Sequence, residues 1–337
     1  MEFSISRYDG ESPMVPWPSL AEKAFLLKRN SHPGEAIFYY DAAPSDVSAT
    51  ALVNAPAGAP AYAQPLDNNA PVFVLIHGLG DEADSWRHII PLLNANGCRA
   101  LALDLPGFGR STLAANISLS GYADAVLRLI HAAVRPHPGG PPIFLAGSSM
   151  GALVAQEAAL TEPELLRGII LLDGSIPGGP KIPGPFAMLK RLFSRKWYRA
   201  YRKNPDALWA SLYNYYADLD NMPPEDKEFL RRRVMARVES PTQEQAFFAI
   251  QRSVVRTYLT ASSRYARKVR HSKVKIMLIW GELDKIIPLS SAEAFKTLRD
   301  GIGLELIKGA GHLPQQEKPA ETARIMLDFL CFSCKDG

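Results

Sequence analysis

The sequence predicts a doubly wound α/β fold: a mostly parallel sheet of about eight strands with an inserted helical segment. Three observations carry that expectation. Uninterrupted apolar runs of strand length recur along the chain, the pattern of strands buried on both faces of a parallel sheet. Helical patterns lie between those runs, and alternating strands and helices give a layered α/β architecture. One block, opening at Ile176, breaks the alternation and reads as helices alone.

The elements follow in order. Ala36 to Tyr40 reads as a short strand, and residues 42–70 as an irregular loop rich in Ala, Pro and Asn. Further strands are expected at Val72 to Ile76, Ala100 to Leu103, Ile143 to Ala146, Gly168 to Leu172, Ile276 to Trp280 and Leu304 to Ile307. Ser120 to Val134 carries apolar residues on one helical face. Ser290-Ser291-Ala292-Glu293 is a capping-box signature opening a helix to about Leu298. Pro319 suits the first turn of a last helix with Ala323, Met326, Leu327 and Leu330 as its buried stripe. The block that breaks the alternation starts with a Pro/Gly-rich linker, Pro177 to Pro185. Helix-prone stretches follow at Phe186 to Tyr201, Pro205 to Ala217, Asp226 to Val238 and Thr242 to Tyr258. The expected division is therefore a core over 1–175 and 272–337, interrupted by a helical insertion over 176–271.

Composition narrows the class. With 337 residues, 47% hydrophobic and 21% charged, the chain has ample material for a core. No run of 18 apolar residues offers a membrane span, and Met1 to Ser12 lacks the apolar segment of a secretory signal. Three cysteines, Cys98, Cys331 and Cys334, make no disulfide framework, and Cys331-Phe-Ser-Cys334 lacks the second pair of a zinc site. A reduced, cytoplasmic protein is expected. The net charge of +4 is uneven: Ile176 to Lys275 holds 21 Lys and Arg against 8 Asp and Glu. That excess reads as a solvated outer face, as attraction for an anionic substrate or as contact with an acidic membrane surface. No nucleic-acid motif accompanies it. The insertion's aromatics, among them Trp197, Tyr198, Tyr201, Trp209, Tyr213, Tyr215, Tyr216, Phe247, Phe248 and Tyr258, supply its own core, some of them lining a pocket.

The chemistry sits just past the strand ends, where open α/β sheets meet their ligands. His77-Gly78-Leu79-Gly80 follows one strand and Asp104-Leu105-Pro106-Gly107-Phe108-Gly109-Arg110-Ser111 the next. Gly147-Ser148-Ser149-Met150-Gly151 joins a strand to a helix, the context in which G-x-S-x-G forms a nucleophile elbow. Only Ser149 has glycine at both second positions. Asp173 follows another strand, then Gly281-Glu282-Leu283-Asp284 and Gly309-Ala310-Gly311-His312 follow the last two. A serine hydroxyl needs a base to take its proton, an imidazole titrating near about 6.5 can do so, and a carboxylate can hold its tautomer. Of the histidines, only His77 and His312 follow strands.

These motifs, in this order, resemble the α/β-hydrolase superfamily, in its capped esterase-like branch, over roughly Ala36 to Leu330. The resemblance implies the α/β-hydrolase fold with the insertion as a cap over the site. It implies Ser149 as nucleophile, His312 as base and Asp284 as acid. Some members carry the acid at the point where Asp173 stands; Asp284 fits the commoner pattern, and Asp173 then reads as a cap on the turn into the insertion. The resemblance also implies an oxyanion hole from the backbone N–H groups of Leu79 and Met150, and Arg110 and Asp104 as a brace. The expected activity is cleavage of an ester of a small or medium, largely apolar acid through an acyl-enzyme. C–C bond hydrolysis, thioester hydrolysis, acyl transfer or cofactor-free haloperoxidation could use the same triad, and a non-hydrolytic receptor is the reading from another class. Serine at the elbow excludes the epoxide- and halide-processing members, which use Asp there. No cofactor and no metal are expected: there is neither a dinucleotide fingerprint nor a His or Cys cluster at ligand spacing.

Overall fold

A computed structural model describes residues 22–26, as backbone alone, with 35–43, 69–174 and 195–334. Eight strands form one sheet among these residues: β1 (Glu22–Leu26), β2 (Ala36–Ala42), β3 (Val72–Ile76), β4 (Arg99–Leu103), β5 (Ile143–Ser148), β6 (Gly168–Leu172), β7 (Lys275–Gly281) and β8 (Gly303–Ile307). Their order is β1-β2-β4-β3-β5-β6-β7-β8. β1 and β2 pair antiparallel, β2 pairs antiparallel with β4, and all pairs from β4 to β8 are parallel. The strand order reverses at β3, which has β4 on one side and β5 on the other. The loops leaving β3 and β5 therefore flank the crevice where such sheets bind ligands.

Side chains alternate between two cores. Val72, Val74 and Ile76 of β3 join α2 (Leu119–Ala133), α3 (Met150–Thr161) and α8 (Ser290–Lys296) on one face. Phe73 and Leu75 join α1 (Ile89–Ala95) and α10 (Pro319–Cys334) on the other. Each fully buried Leu, Ile or Phe contributes about 1.5–3 kcal/mol, so both faces of the sheet hold the helices in place. The apolar runs of β3 to β7 reflect this double burial. β8 does not: it is the edge strand, and Leu306 is exposed. β1, Glu22-Lys23-Ala24-Phe25-Leu26, opens on two charged residues and is the edge strand at the opposite side.

Between β6 and β7 the described chain is helical: α4 (Arg195–Ala200), α5 (Pro205–Ser211), α6 (Pro224–Glu239) and α7 (Pro241–His271). These elements have a small core of their own, including Tyr198, Leu208, Leu230, Val234 and Phe248. Pro224 and Pro241 sit in first helical turns, where a missing N–H costs nothing, and Ser240 caps α7 by accepting from Gln243 N at 3.2 Å. α7 runs thirteen residues past the expected Tyr258; its second half is mostly polar, with Ala261, Tyr265 and Val269, four residues apart, as a sparse buried stripe. The expected capping box is also corrected. Ser290 lies inside α8, which opens at Leu289 without a side-chain cap. Of the expected 42–70 loop, residues 44–68 lie outside the described residues, as do 175–194 with the linker and the start of the first inserted helix. The short remaining helix, α9 (Pro314–Glu317), precedes α10. No helix among the described residues is long and apolar enough to cross a membrane. Cys98, Cys331 and Cys334 are free thiols.

Candidate active site

Ser149 joins β5 to α3 with φ 53° and ψ −115°, a conformation that costs a non-glycine residue about 1–3 kcal/mol. Its N–H donates to the Leu172 carbonyl at 2.8 Å, which helps hold it there. The flanking glycines are sterically required. A Cβ on Gly147 would overlap the Gly151 backbone, and one on Gly151 would overlap the Ile76 carbonyl of β3. The serine thus stands at the start of α3, where the first N–H groups, Met150's included, have no partner within the helix.

His312 lies in the loop after β8. Its Nε2 is 2.9 Å from Ser149 Oγ and its Nδ1 is 2.9 Å from Asp284 Oδ2. The Asp284 carboxylate also accepts from Ile286 N at 2.7 Å and Ile287 N at 3.1 Å through Oδ1. The structure therefore brings Ser149, His312 and Asp284 into one hydrogen-bonded chain. His312 is buried, so both of its ring contacts are shielded from bulk solvent.

The turn that follows Asp173 into the insertion lies, from residue 175 on, outside the described residues. Asp173 itself is fully buried, and its Oδ1 accepts from Gly281 N at 2.8 Å, at the end of neighbouring β7. Parallel pairing sets Leu172 opposite Ile279, so the ends of β6 and β7 lie side by side. Burial, followed by the nearby Asp284 charge, pushes the Asp173 carboxyl well above the ordinary carboxylate range.

The other serine and histidine are engaged elsewhere. Ser148 is buried and accepts from Gln315 Nε2 at 3.1 Å. His77 Nε2 accepts from Leu105 N at 2.9 Å, so its Nδ1 carries the proton and donates to Gly78 O at 2.7 Å. Burial lowers the His77 pKa and keeps it neutral, a strut between the loops after β3 and β4. Arg110 does brace the loop after β4, with its Nε donating to Asp104 Oδ2 at 2.8 Å.

Residues of the inserted helices share a cavity with this chain. Gly78, Leu79, Ser149 and His312 line a cavity of about 180 Å³ together with Trp197, Tyr201, Leu212, Tyr215, Val238 and Phe247. Arg237, at the same cavity, donates to Asp81 Oδ1 at 2.5 Å and to Glu82. Arg233 pairs with Glu82 at 3.0 Å and with Asp84, and Arg87 with Asp226 at 2.7 Å. Burial raises the Asp226 pKa, but its bonds to His88 and Arg87 outweigh that and bring it down to about 2. Of the run Arg231-Arg232-Arg233, only the third turns inward.

Two contributors escaped sequence reasoning. Tyr215 O accepts from His312 N at 2.7 Å. Glu317 accepts from Gly311 N at 2.8 Å and from Ala217 N at 2.6 Å. Both tie the insertion to the histidine loop. Glu317 could have been suspected as an acid five residues past His312; Tyr215 acts through its backbone and leaves no mark in residue type.

The model of the alpha/beta hydrolase family matches residues 73–325. A pimeloyl-[acyl-carrier protein] methyl ester esterase from Methylococcus capsulatus is 28% identical over 78% of this chain and 96% of its own. A 2-hydroxy-6-oxo-6-phenylhexa-2,4-dienoate hydrolase from Comamonas testosteroni is 29% identical over 76% of this chain and 86% of its own. Among solved structures, a membrane phospholipase A superposes with a TM-score of 0.67 at 22% identity, covering 94% of this chain and 87% of its own. That last likeness concerns the fold.

Proposed function

The chain belongs to the α/β hydrolase family, and from that premise we propose that it is a serine hydrolase cleaving an ester of a small to medium, largely apolar acid. The hydrogen-bonded chain from Ser149 through His312 to Asp284, opening on an aromatic and aliphatic cavity, carries this reading. In the proposed reaction His312 Nε2 takes the Ser149 proton as Oγ attacks the ester carbonyl. Asp284 holds the proton on Nδ1 and stabilises the imidazolium. The N–H groups of Met150 and Leu79 stabilise the oxyanion, a contribution of about 2.7–4 kcal/mol for each donor. The protonated His312 then gives its proton to the leaving alcohol, and water, activated by the same imidazole, releases the acid.

We read 1–175 and 272–337 as the catalytic core and 176–271 as a cap that sets substrate range. A small-molecule substrate suits the cavity, and three free thiols support a cytoplasmic setting. Turnover of p-nitrophenyl esters of graded chain length, with fluorophosphonate labelling of Ser149, tests the reading. C–C bond hydrolysis is the second reading, favoured by the likeness to the dienoate hydrolase. Labelling of Ser149 with no turnover of any ester would move the assignment there.

A further inference from the structure

We propose that Asp173 keeps its proton in the folded protein and donates its O–H to the carboxylate of Asp284, as a positioning residue for the acid of the triad. The role of Asp284 rests on the serine-hydrolase reading; the placement of the proton rests on geometry.

Asp173 and Asp284 leave the adjacent ends of β6 and β7. One carboxylate oxygen from each and one ring nitrogen of His312 all lie within 4.8 Å of one another. Two buried carboxylates at that separation cannot both stay ionised without a compensating cation. The nearest basic group, His312, already bonds Asp284, and the third acid facing Asp173 is Glu317, which adds to the repulsion. One of the pair must hold a proton.

The hydrogen bonds decide which. Asp284 accepts from three N–H groups, those of Ile286, Ile287 and His312, and all three favour its anion. Asp173 accepts from one, Gly281 N, and its Oδ2 is buried with no hydrogen-bond partner. A buried acceptor without a donor is costly. Protonation turns that oxygen into a donor facing a carboxylate with a lone pair to spare. The backbone at Asp173 is held for this position: φ is 41°, and its N–H donates to Ile279 O at 3.0 Å. The upward push on its pKa from burial agrees. The proton stays on Asp173 throughout turnover; its task is to fix the rotation of the Asp284 carboxylate against the imidazole.

Asp173→Asn and Asp173→Ala separate this role from a structural one. The asparagine can accept from Gly281 N and donate to Asp284, so it copies the neutral acid. We expect Asp173→Asn to keep kcat within about threefold, and Asp173→Ala to lower it about ten- to hundredfold with little change in KM, as for loss of a hydrogen bond to a charged group. Infrared spectra at neutral pH should show a protonated-carboxyl band that Asp173→Asn removes. Thermal stability gives a second readout. In the unfolded chain the carboxyl loses its proton near about pH 3.9, while the folded protein keeps it, so wild-type stability falls as pH rises above that value. The stability advantage of Asp173→Asn should therefore widen from about pH 4 to pH 7. A missing infrared band, or an advantage that does not change with pH, overturns the proposal even if Asp173→Ala fails to fold. Absence of ester turnover by the wild type would instead sink the ester-cleaving reading, and leaves the infrared and stability results to decide the proton.

Discussion

Two buried regions of this molecule handle charge in opposite ways. Along the seam between the inserted helices and the core, opposite charges are matched. Arg233 and Arg237 face Asp81, Glu82 and Asp84; Arg110 faces Asp84 and Asp104; Arg87 and His88 face Asp226. At the ends of β6 and β7 two carboxyls crowd one imidazole, with an oxygen of each and a ring nitrogen within 4.8 Å of one another. A matched cluster keeps its protons fixed and serves as a fastening. An unmatched one must place and move protons, and such clusters are where chemistry is found. The same residue types thus do structural work in one place and are proposed to do chemical work in the other, according to how many counter-charges surround them.

Substitutions can break or sharpen this contrast. The largest effect is expected for Ser149→Ala, which should lower kcat by about 10⁴-fold or more, with His312→Ala adding little to it because triad residues act as a unit. Retention of more than about a tenth of wild-type kcat by Ser149→Ala would contradict nucleophilic catalysis by this residue. Next, Asp284→Asn should cost about 10²–10⁴-fold in kcat through the wrong imidazole tautomer, far more than Asp173→Asn. If the larger loss falls on Asp173, the acid has been assigned to the wrong strand end.

The seam should answer in stability. Arg233→Ala leaves Glu82 and Asp84 buried without one of their partners and should cost about 3–5 kcal/mol in urea unfolding. Arg324→Ala removes an exposed pair with Asp328 and should stay within about 0.5 kcal/mol. Equal costs for the two would remove the distinction between fastening and decoration. The smallest effect concerns the outer face of the inserted helices, where Arg231 and Arg232 are exposed. If that charge steers anionic substrates, kcat/KM for an anionic ester should drop a few-fold, by about three to ten times, between low and high salt, while a neutral ester of similar size barely responds. Identical responses would leave these residues as a solvated surface.

How much of this was legible depends on the range over which each feature is encoded. β3 to β7 could be read because burial on both faces leaves a continuous apolar run within five to seven residues. β1 could not, since an edge strand with two charged residues in five looks like a loop. The positions of Ser149, Asp284 and His312 could be read because each follows a strand end directly. Their mutual distances, and the approach of Asp173 to Asp284, arise only once β6 and β7 pair across about a hundred residues of insertion. A signal for that approach existed, two acids past two strands, but strand order was needed to make them neighbours. The seam was illegible for a similar reason. Arg233 and Glu82 are 151 positions apart, and nothing in an arginine run tells which member turns inward.

The link between Tyr215 and His312 bears on how far this protein can be rebuilt. Gly311 is so close to the Tyr215 carbonyl and the Ala217 N–H that a side chain there would displace the insertion. The histidine loop is thus held at His312 by the Tyr215 carbonyl, about a hundred residues upstream, and at Gly311 by Glu317, whose carboxylate also accepts from Ala217 N. Core and insertion are consequently not interchangeable modules. Excising the helices to widen access would yield a protein whose serine keeps its elbow but whose imidazole has lost an anchor, and a transplanted insertion would have to supply a carbonyl at 215 and an N–H at 217 before its pocket mattered at all.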